Sequence, residues 1–331
     1  MIDTIYIERE VVDHPRTASI LRRFPQATCV NIERYGEVFN RSSQNFRLQK
    51  RRPALILAEK HDRFVLDTPA GYGVGGRHNY YFYHMLNCLY DCRYCFLQGM
   101  YRSAHYLLFV NYEDYERAID ETLSHVNGDA CWFFSGYDCD SLAMEPVTGF
   151  AERFLPFFAQ RPNAWIELRT KSTQTRRLLA MEAFPNAVVA FSFTPDRISQ
   201  ALETKVPSVE KRLQSMKELQ TAGWALGLRF DPLVYHDDYQ DTYRQLFSHV
   251  FSVLNADAIH SVTLGTFRMP KSFFKRIVQM YPEEPLYAGP LDEHTGVVSY
   301  QKDLNEEMID FCERELAKFV PRSVLYSCGT G

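Results

Sequence analysis

From residue 80 onward, short apolar segments alternate with amphipathic ones, and this alternation restricts the fold more than any other feature. The intervening segments, such as SVEKRLQSMKELQTAG, have the spacing of helices that bury one face. Strand–helix–strand repetition builds a parallel sheet, because each crossover helix returns the chain to the same end. Six units are too few for a closed eightfold barrel, so we predict an α/β fold with a partial (β/α)6 TIM-like barrel. The predicted strands are YYFYHML (80–86), ACWFFSG (130–136), WIELRTK (165–171), VVAFSF (188–193), ALGLRFDPLV (225–234) and HSVTLGTF (260–267).

Two shorter regions flank this repeat. Residues 1–79 are expected to form a small αβ lead-in, with strands in IYIER, CVNIER and ALILAEK, a helix in HPRTASILRRF and a polar loop in RSSQNFRLQKRR. After residue 282 we expect a strand in VVSYQKD, a helix in LNEEMIDFCERELAKFV and a last strand in SVLYSC. The predicted domains are therefore a lead-in (1–79), a barrel (80–282) and a C-terminal extension (283–331).

The composition favours a cytoplasmic globular protein. Apolar residues make up 46% of the 331 residues, which is enough for a sizeable core, and the net charge of −4 gives no general attraction to nucleic acid. No run of about 18 apolar residues predicts a membrane span. The charged N-terminal sequence MIDTIYIEREVVDH does not have the apolar segment of a secretory signal.

The segment GYGVGG (71–76) fits the dinucleotide-binding pattern G-x-G-x-x-G, but its surroundings do not. That motif requires a helix directly after the glycines, so that the helix N-terminus meets a pyrophosphate. The strand-like HNYYFYHML follows instead, and we therefore predict a turn between two strands.

Cys88, Cys92 and Cys95 form the pattern C-x3-C-x2-C just past the first predicted barrel strand. This end of an α/β barrel carries the active site. A structural zinc site needs four ligands, whereas a [4Fe–4S] cluster held by three thiolates leaves one iron free for another ligand. Both interpretations, and a third in which the cysteines are ordinary buried residues, are compatible with the spacing alone. A zinc ion could take its fourth ligand from His84, His105 or Cys139.

With Tyr94 as the aromatic residue, C-x3-C-x-aromatic-C at the end of a first barrel strand resembles the radical S-adenosylmethionine (SAM) superfamily. The longer segment CLYDCRYCFLQGMY resembles the cluster loop of the spore photoproduct lyase family. The resemblance extends from about residue 80 to the C-terminus, and more faintly through the lead-in. Further similar segments are DSLAMEPVT, LRTKS, AFSF, PLVYHDDYQDTYRQLF, FRMPK and SYQKD.

The resemblance implies a radical SAM enzyme of the lyase type. The amino and carboxylate groups of SAM would occupy the open iron. Electron transfer from the reduced cluster would break a C–S bond of SAM, and the resulting 5′-deoxyadenosyl radical would take hydrogen from the substrate. A reductant such as flavodoxin or ferredoxin is then an expected partner. By the same resemblance Lys171 would bind the SAM carboxylate and Ser192 the ribose, while Ser135 and Gly136 would lie at the amino group.

The chain departs from the family pattern at the residues that handle the substrate radical. The position of the family's hydrogen-donating cysteine is occupied by Tyr137, and Cys139 follows two residues later as an alternative donor. Of the two tyrosines that relay the radical, Tyr94 is kept, whereas Phe96 replaces the other and has no hydroxyl hydrogen to give.

The expected DNA-binding segment also differs. Where the family has a hairpin rich in Arg and Lys, this chain has YAGPLDEHTGVV, which contains two acids and neither Lys nor Arg. Such a hairpin repels phosphate, so the sequence does not support DNA as a partner there. Basic segments occur elsewhere, including RLQKRRP (47–53), but short basic runs are usually solvated surface. Asp231 and His236, after the fifth strand, are expected to face the pocket.

Three functions therefore remain open. The first is a radical SAM enzyme of the spore photoproduct lyase type that repairs a DNA lesion. The second is a radical SAM enzyme on the same scaffold with a substrate other than DNA. The third is a non-enzymatic iron–sulfur or zinc protein.

Overall fold

The computed structural model describes residues 2–126 and 128–328. The strands are β1 (Thr4–Glu8), β2 (Thr28–Ile32), β3 (Leu55–Ala58), β4 (Leu66–Asp67), β5 (His78–Phe82), β6 (Met85–Leu86), β7 (Asp91–Cys92), β8 (Tyr106–Phe109), β9 (Cys131–Ser135), β10 (Ala164–Thr170), β11 (Ala187–Ser192), β12 (Glu203–Thr204), β13 (Ala225–Leu233), β14 (Ile259–Thr266), β15 (Arg268–Pro270), β16 (Leu291–His294), β17 (Val297–Tyr300) and β18 (Leu325–Ser327). The α-helices are α1 (Pro15–Leu21), α2 (Phe46–Arg51), α3 (Leu97–Met100), α4 (Tyr112–Ser124), α5 (Glu145–Thr148), α6 (Phe150–Ala159), α7 (Arg176–Leu179), α8 (Asp196–Leu202), α9 (Val209–Thr221), α10 (Tyr239–Val253), α11 (Lys271–Met280) and α12 (Lys302–Leu316).

The main sheet has the order β18-β14-β13-β11-β10-β9-β5-β4 and curls into a half barrel. Every neighbouring pair from β5 to β18 is parallel, as the strand–helix alternation predicts. The predicted partial barrel is therefore confirmed. The first predicted strand, YYFYHML, is divided: β5 joins the barrel, whereas β6 pairs with β8 in another sheet.

Alternation along the strands separates a lumen from an outer face. At the bottom of the lumen Trp132 stacks on Trp165 with ring centroids 4.8 Å apart, and His260 lies 5.3 Å from Trp132. Gly76 closes over these rings with φ 84°, and a Cβ there would lie 2.8 Å from the indole, so this position needs glycine. On the outer face, Phe82 packs against the aromatic side of α6. GYGVGG is thus a turn between β4 and β5, as predicted.

A second sheet, β2-β1-β3-β8-β6, combines lead-in strands with two strands that follow residue 79. Strand β8 was not predicted, because the segment YLLF is only four residues long and lacks alternation. The predicted polar loop RSSQNFRLQKRR is wrong in part: Asn45 caps the N-terminus of α2 by accepting a hydrogen bond from Leu48 N at 2.9 Å. The domain limits at residues 79 and 282 stay a prediction.

The C-terminal region adds the hairpin β16–β17, which pairs with β15 at the mouth of the barrel. Helix α12 then leads to β18, which pairs in parallel with β14 at the barrel's edge. Across residues 2–126 and 128–328, the structure contains no helix with the length and apolar character required to cross a bilayer.

Candidate active site

The three cysteines lie in a loop beyond β6, at the end of the barrel where the parallel strands terminate. Cys92 is buried, while Cys88 and Cys95 are partly exposed. Cys92 belongs to β7, which pairs with β12, and its carbonyl accepts a hydrogen bond from Cys95 N at 3.1 Å. The loop is therefore fixed by backbone pairing to the segment that follows α8.

Lys50, from α2 in the lead-in, is hydrogen-bonded to the same loop. It is only 7% exposed, and its Nζ donates to Cys88 O at 2.9 Å and to Tyr90 O at 3.1 Å. The prediction that the basic run 47–53 is solvated surface is therefore wrong for Lys50. Its hydrocarbon stem belongs to the buried face of α2, and nothing in the local sequence separates it from its exposed neighbours.

Burial raises the pKa of all three thiols, that of Cys88 to about 12, while nearby ammonium groups counteract the shift. Lys50 acts on Cys88 and Cys95, and Lys171 acts on Cys92 and Cys95. In residues 2–126 and 128–328 no three His, Cys, Asp or Glu side chains converge on a site for one metal ion. A [4Fe–4S] cluster does not require such convergence, because each thiolate binds its own iron.

Neither histidine considered as a fourth ligand is directed to the loop. His84 is buried and stacks on Phe150 at 3.9 Å, and burial lowers its pKa to about 3. His105 accepts a hydrogen bond from Ala54 N at 3.0 Å.

Lys171 and Tyr94 lie next to each other beside the cysteines. Lys171 follows β10, and its Nζ lies 5.4 Å from the centre of the Tyr94 ring. The Tyr94 hydroxyl donates to the buried carboxylate of Glu203, which also pairs with Arg212 at 2.7 Å. Ser192 ends β11, and its carbonyl accepts from Arg212 at 2.7 Å. One buried ion pair thus positions Tyr94 and the backbone at Ser192 together.

Asp140 holds the backbone at Lys171. Its Oδ2 accepts from Lys171 N at 2.7 Å, and its Oδ1 accepts from Thr170 Oγ1 at 2.6 Å. Ser135 donates to Glu167 O at 2.8 Å, so its hydroxyl is used within the protein. Gly136 has φ 84°, and a Cβ there would lie 2.6 Å from Ser141 Oγ. The chain turns tightly after β9 and leaves backbone rather than side chain facing the site.

Tyr137 and Phe96 form an aromatic wall on the other side of the mouth. Tyr137 is 40% exposed, and its ring lies 4.5 Å from Tyr81 and 5.5 Å from Phe96. Cys139 is buried, and burial keeps the pKa of its thiol well above the usual range. The two candidate hydrogen donors therefore differ: Tyr137 lines the opening, whereas Cys139 lies beneath it.

Between them, Asp138 is buried and carries an Oδ1 with no hydrogen-bond partner in the described part of the chain. Burial raises its pKa to about 6, against the opposing effects of the Tyr101 hydroxyl and Lys60. The Lys60 ammonium donates to Tyr83 Oη at 3.1 Å, and burial lowers its pKa to about 8. This polar group was not predicted, because its members are far apart in the chain.

Of the two residues expected to face the pocket, Asp231 lies in the lumen, where it pairs with Arg268 at 3.0 Å. His236 is bound to Thr242 Oγ1 at 2.7 Å and to Val234 O at 3.0 Å. The hairpin β16–β17 exposes Asp292, Glu293 and His294, and of its two acids only Glu293 has a cationic partner among the described residues, Lys271 at 2.5 Å.

The chain is similar to known proteins in both sequence and fold. The family model described as spore photoproduct lyase matches residues 77–323. The chain is 24% identical over 249 residues to the spore photoproduct lyase of Bacillus subtilis, covering 71% of this chain and 72% of that protein. It is 21% identical to the enzyme of Clostridium acetobutylicum, covering 94% of each chain.

Solved structures show the same fold. A spore photoproduct lyase variant with bound AdoMet and dinucleoside spore photoproduct superposes with a TM-score of 0.85 at 17% identity, covering 99% of this chain and 98% of that one. The complex of the lyase with dinucleoside spore photoproduct gives a TM-score of 0.83 at 18% identity, with the same coverage.

Proposed function

Because the chain belongs to the spore photoproduct lyase family, we propose that it binds a [4Fe–4S] cluster through Cys88, Cys92 and Cys95 and cleaves SAM by one-electron reduction. The observation that carries this proposal is the three-cysteine loop at the carboxyl ends of a half barrel, flanked by two lysines and by the aromatic ring of Tyr94. When bound, the cluster supplies the electron that splits SAM into methionine and a 5′-deoxyadenosyl radical, which abstracts hydrogen from the substrate.

The donor set fits this cofactor. Three thiolates and a reduced cluster add negative charge at one place, and the buried Lys50 and the partly buried Lys171 offset that charge. Burial by itself raises the pKa of the thiols and so keeps them protonated. Iron binding overcomes this effect and deprotonates them. Loop carbonyls that would otherwise be unpaired are occupied by Lys50, so the loop keeps its conformation around the metal.

We assign SAM to the ends of β9, β10 and β11. Lys171 would pair with the methionine carboxylate, and Asp140 orients the backbone from which Lys171 extends. The backbone at Ser135 and Gly136 would receive the amino group, since the Ser135 hydroxyl is already bonded to Glu167 O. Ser192 would contact the ribose at the end of β11, where Arg212 fixes its carbonyl.

On the substrate side, Tyr137 is the exposed group that could return a hydrogen atom to a substrate radical, with Cys139 as the buried alternative. The Tyr94 hydroxyl donates a hydrogen bond to the Glu203 carboxylate, so this carboxylate can accept the phenolic proton if the ring is oxidised. Phe96, which lies against Tyr137, cannot relay a hydrogen atom.

Membership of the family makes a DNA lesion one candidate substrate. The acidic β16–β17 hairpin favours the other candidate, a molecule that is not DNA. Asp292 is exposed on this hairpin without a cationic partner among the described residues, and Glu293 is paired with Lys271, so the hairpin does not offer the excess positive charge whose counterion release drives DNA binding. A one-electron carrier such as flavodoxin or ferredoxin would deliver the electron to the cluster.

Anaerobic reconstitution tests the proposal. The protein should become brown, bind about four iron atoms as a [4Fe–4S] protein does, and release 5′-deoxyadenosine from SAM when dithionite is added. A protein that binds metal but leaves SAM intact would be the non-enzymatic alternative and would refute the proposal.

A further inference from the structure

The lumen below Lys171 contains more positive than negative charge. Among the described residues, five charged side chains meet there, two of them carboxylates and three guanidinium groups. They are Glu167, Asp231, Arg169, Arg229 and Arg268. We call them the lumen charge cluster. Buried charge of one sign is costly unless a partner of the other sign compensates it, so the pairing within this cluster decides what it can bind.

Two of the guanidinium groups each form a bidentate ion pair with one carboxylate. Arg229 is fully buried and donates to both oxygens of Glu167, at 3.0 and 2.6 Å. Arg268 donates to both oxygens of Asp231, at 3.0 and 3.3 Å, and to the hydroxyl of Tyr72 at 2.7 Å. Gly227 and Gly265 leave the space that these pairs occupy, since a Cβ at either would lie 2.7 Å from a guanidinium nitrogen.

Arg169 carries the third guanidinium group, and its two Nη atoms make no hydrogen bond among the described residues. Its single polar contact among the described residues is from Nε to Glu167 Oε1 at 3.3 Å, an oxygen that Arg229 already engages. The Arg169 side chain is 34% exposed, whereas that of Glu167 is completely buried. Because alternate residues of β10 face the lumen, Arg169 lies between Glu167 and Lys171 on the same face.

The side of the barrel mouth next to the lumen charge cluster is aromatic. The exposed ring of Tyr137 lies against Phe96 and Tyr81, and Arg268 and Tyr72 are near enough to act on Tyr137 electrostatically. A flat aromatic surface at the same mouth as a guanidinium whose Nη atoms are not engaged by a carboxylate suits a planar ring that carries an acidic group.

We propose that the barrel mouth binds a small planar anion as substrate, with Arg169 holding its carboxylate or phosphate and the Tyr137–Phe96 wall contacting its ring. This inference rests on the proposed function, because it places the anion beside the SAM site. The guanidinium fork recognises carboxylate and phosphate alike, so the source of the acidic group is left to the experiment.

Two probe pairs differ only in the acidic group: uracil against orotate, and thymidine against thymidine 5′-monophosphate. Calorimetric titration of the anaerobically reconstituted protein, with and without SAM, measures the dissociation constant of each probe. The unsubstituted protein should prefer at least one anionic probe by about tenfold or more, the range of a charge-assisted bidentate contact. A preference in only one pair identifies the acidic group as carboxylate or phosphate.

Arg169→Gln should abolish the preference, Arg169→Lys should keep part of it, and Arg23→Gln, which removes an exposed charge on the lead-in, should leave it unchanged. The inference is overturned if the unsubstituted protein has no preference, if the preference survives in Arg169→Gln, or if Arg169→Gln weakens SAM binding as much as Lys171→Gln does. Failure of the proposed function would appear separately, as intact SAM in the unsubstituted protein under reducing conditions.

Discussion

The two sides of the barrel mouth differ in how much of the family pattern they keep. The side of the proposed cluster, called here the cluster side, has the three cysteines, Tyr94 and Lys171, supported by the buried Glu203–Arg212 ion pair and by Lys50. The substrate side has Tyr137 and Phe96 where the family pattern has a cysteine and a tyrosine. The proposed function thus assigns radical generation and substrate choice to separate residues, so that one can change on a fold that preserves the other.

The largest effect is expected on the cluster side. Cys92→Ala should eliminate both cluster binding and SAM cleavage, because Cys92 is the buried member of the three proposed ligands, is fixed in β7, and the other two thiols of the loop are themselves proposed ligands. Iron content, visible absorption and 5′-deoxyadenosine measure the loss. Cys29→Ala, at an exposed cysteine of β2, is the control and should behave as the unsubstituted protein. A fully loaded, active Cys92→Ala protein would remove the distinction between the two sides.

The next effect concerns pH and the substrate side. The folded pKa of Asp138 is raised from 3.8 to about 6, so the folded state binds this proton more tightly than the unfolded state. The stability this provides is complete below pH 3.8 and is lost as the pH rises through about 6. A difference of this size between the folded and unfolded pKa values corresponds to about 3 kcal/mol in the free energy of unfolding.

Asp138→Asn should therefore flatten the pH dependence of the free energy of unfolding over that window and stabilise the protein at pH 8. Urea denaturation at a series of pH values measures this, with Asp292→Asn on the exposed hairpin as the control. An unchanged pH profile would mean that Asp138 is not a buried, unsatisfied acid.

On the cluster side, Lys50→Met should lower the free energy of unfolding by about 1–3 kcal/mol, since it leaves the carbonyls of Cys88 and Tyr90 unpaired. It should also lower the midpoint potential of the cluster, because a nearby positive charge favours the reduced form. Lys205→Met removes an exposed ammonium close to α2, the helix of Lys50. It should change the free energy of unfolding and the midpoint potential less than Lys50→Met does. An unaltered potential in Lys50→Met would show that this lysine acts only on the loop's conformation.

The smallest effect on SAM cleavage is expected from the substrate side. Tyr137→Phe should leave formation of 5′-deoxyadenosine nearly unchanged but reduce hydrogen return to the substrate radical, because the ring loses its only O–H. Deuterium incorporation into the product in D2O measures this return. If Cys139→Ala alone changes the incorporation, the buried thiol is the donor and Tyr137 serves as a wall.

The sequence predicted the barrel well because each strand is a short apolar run bounded by an amphipathic helix. The division of YYFYHML into β5 and β6 was not predictable, since a change of sheet within seven residues leaves no trace in periodicity. The spacing of the cysteines, which are close in the chain, drew attention to them, whereas their assignment to an iron–sulfur cluster came from the family resemblance and stays a prediction. Lys50, Asp138 and Arg169 required the folded structure, because their importance comes from burial or from a missing partner rather than from a motif.

The proposed function requires that SAM binds one iron of the cluster, and pulsed electron paramagnetic resonance on the reduced protein detects such binding. With SAM labelled with 15N at the amino group, we expect a hyperfine coupling between that nitrogen and the cluster, which Lys171→Gln should weaken. A cluster signal that does not respond to SAM at all would show that SAM does not bind the cluster and would refute the proposed function.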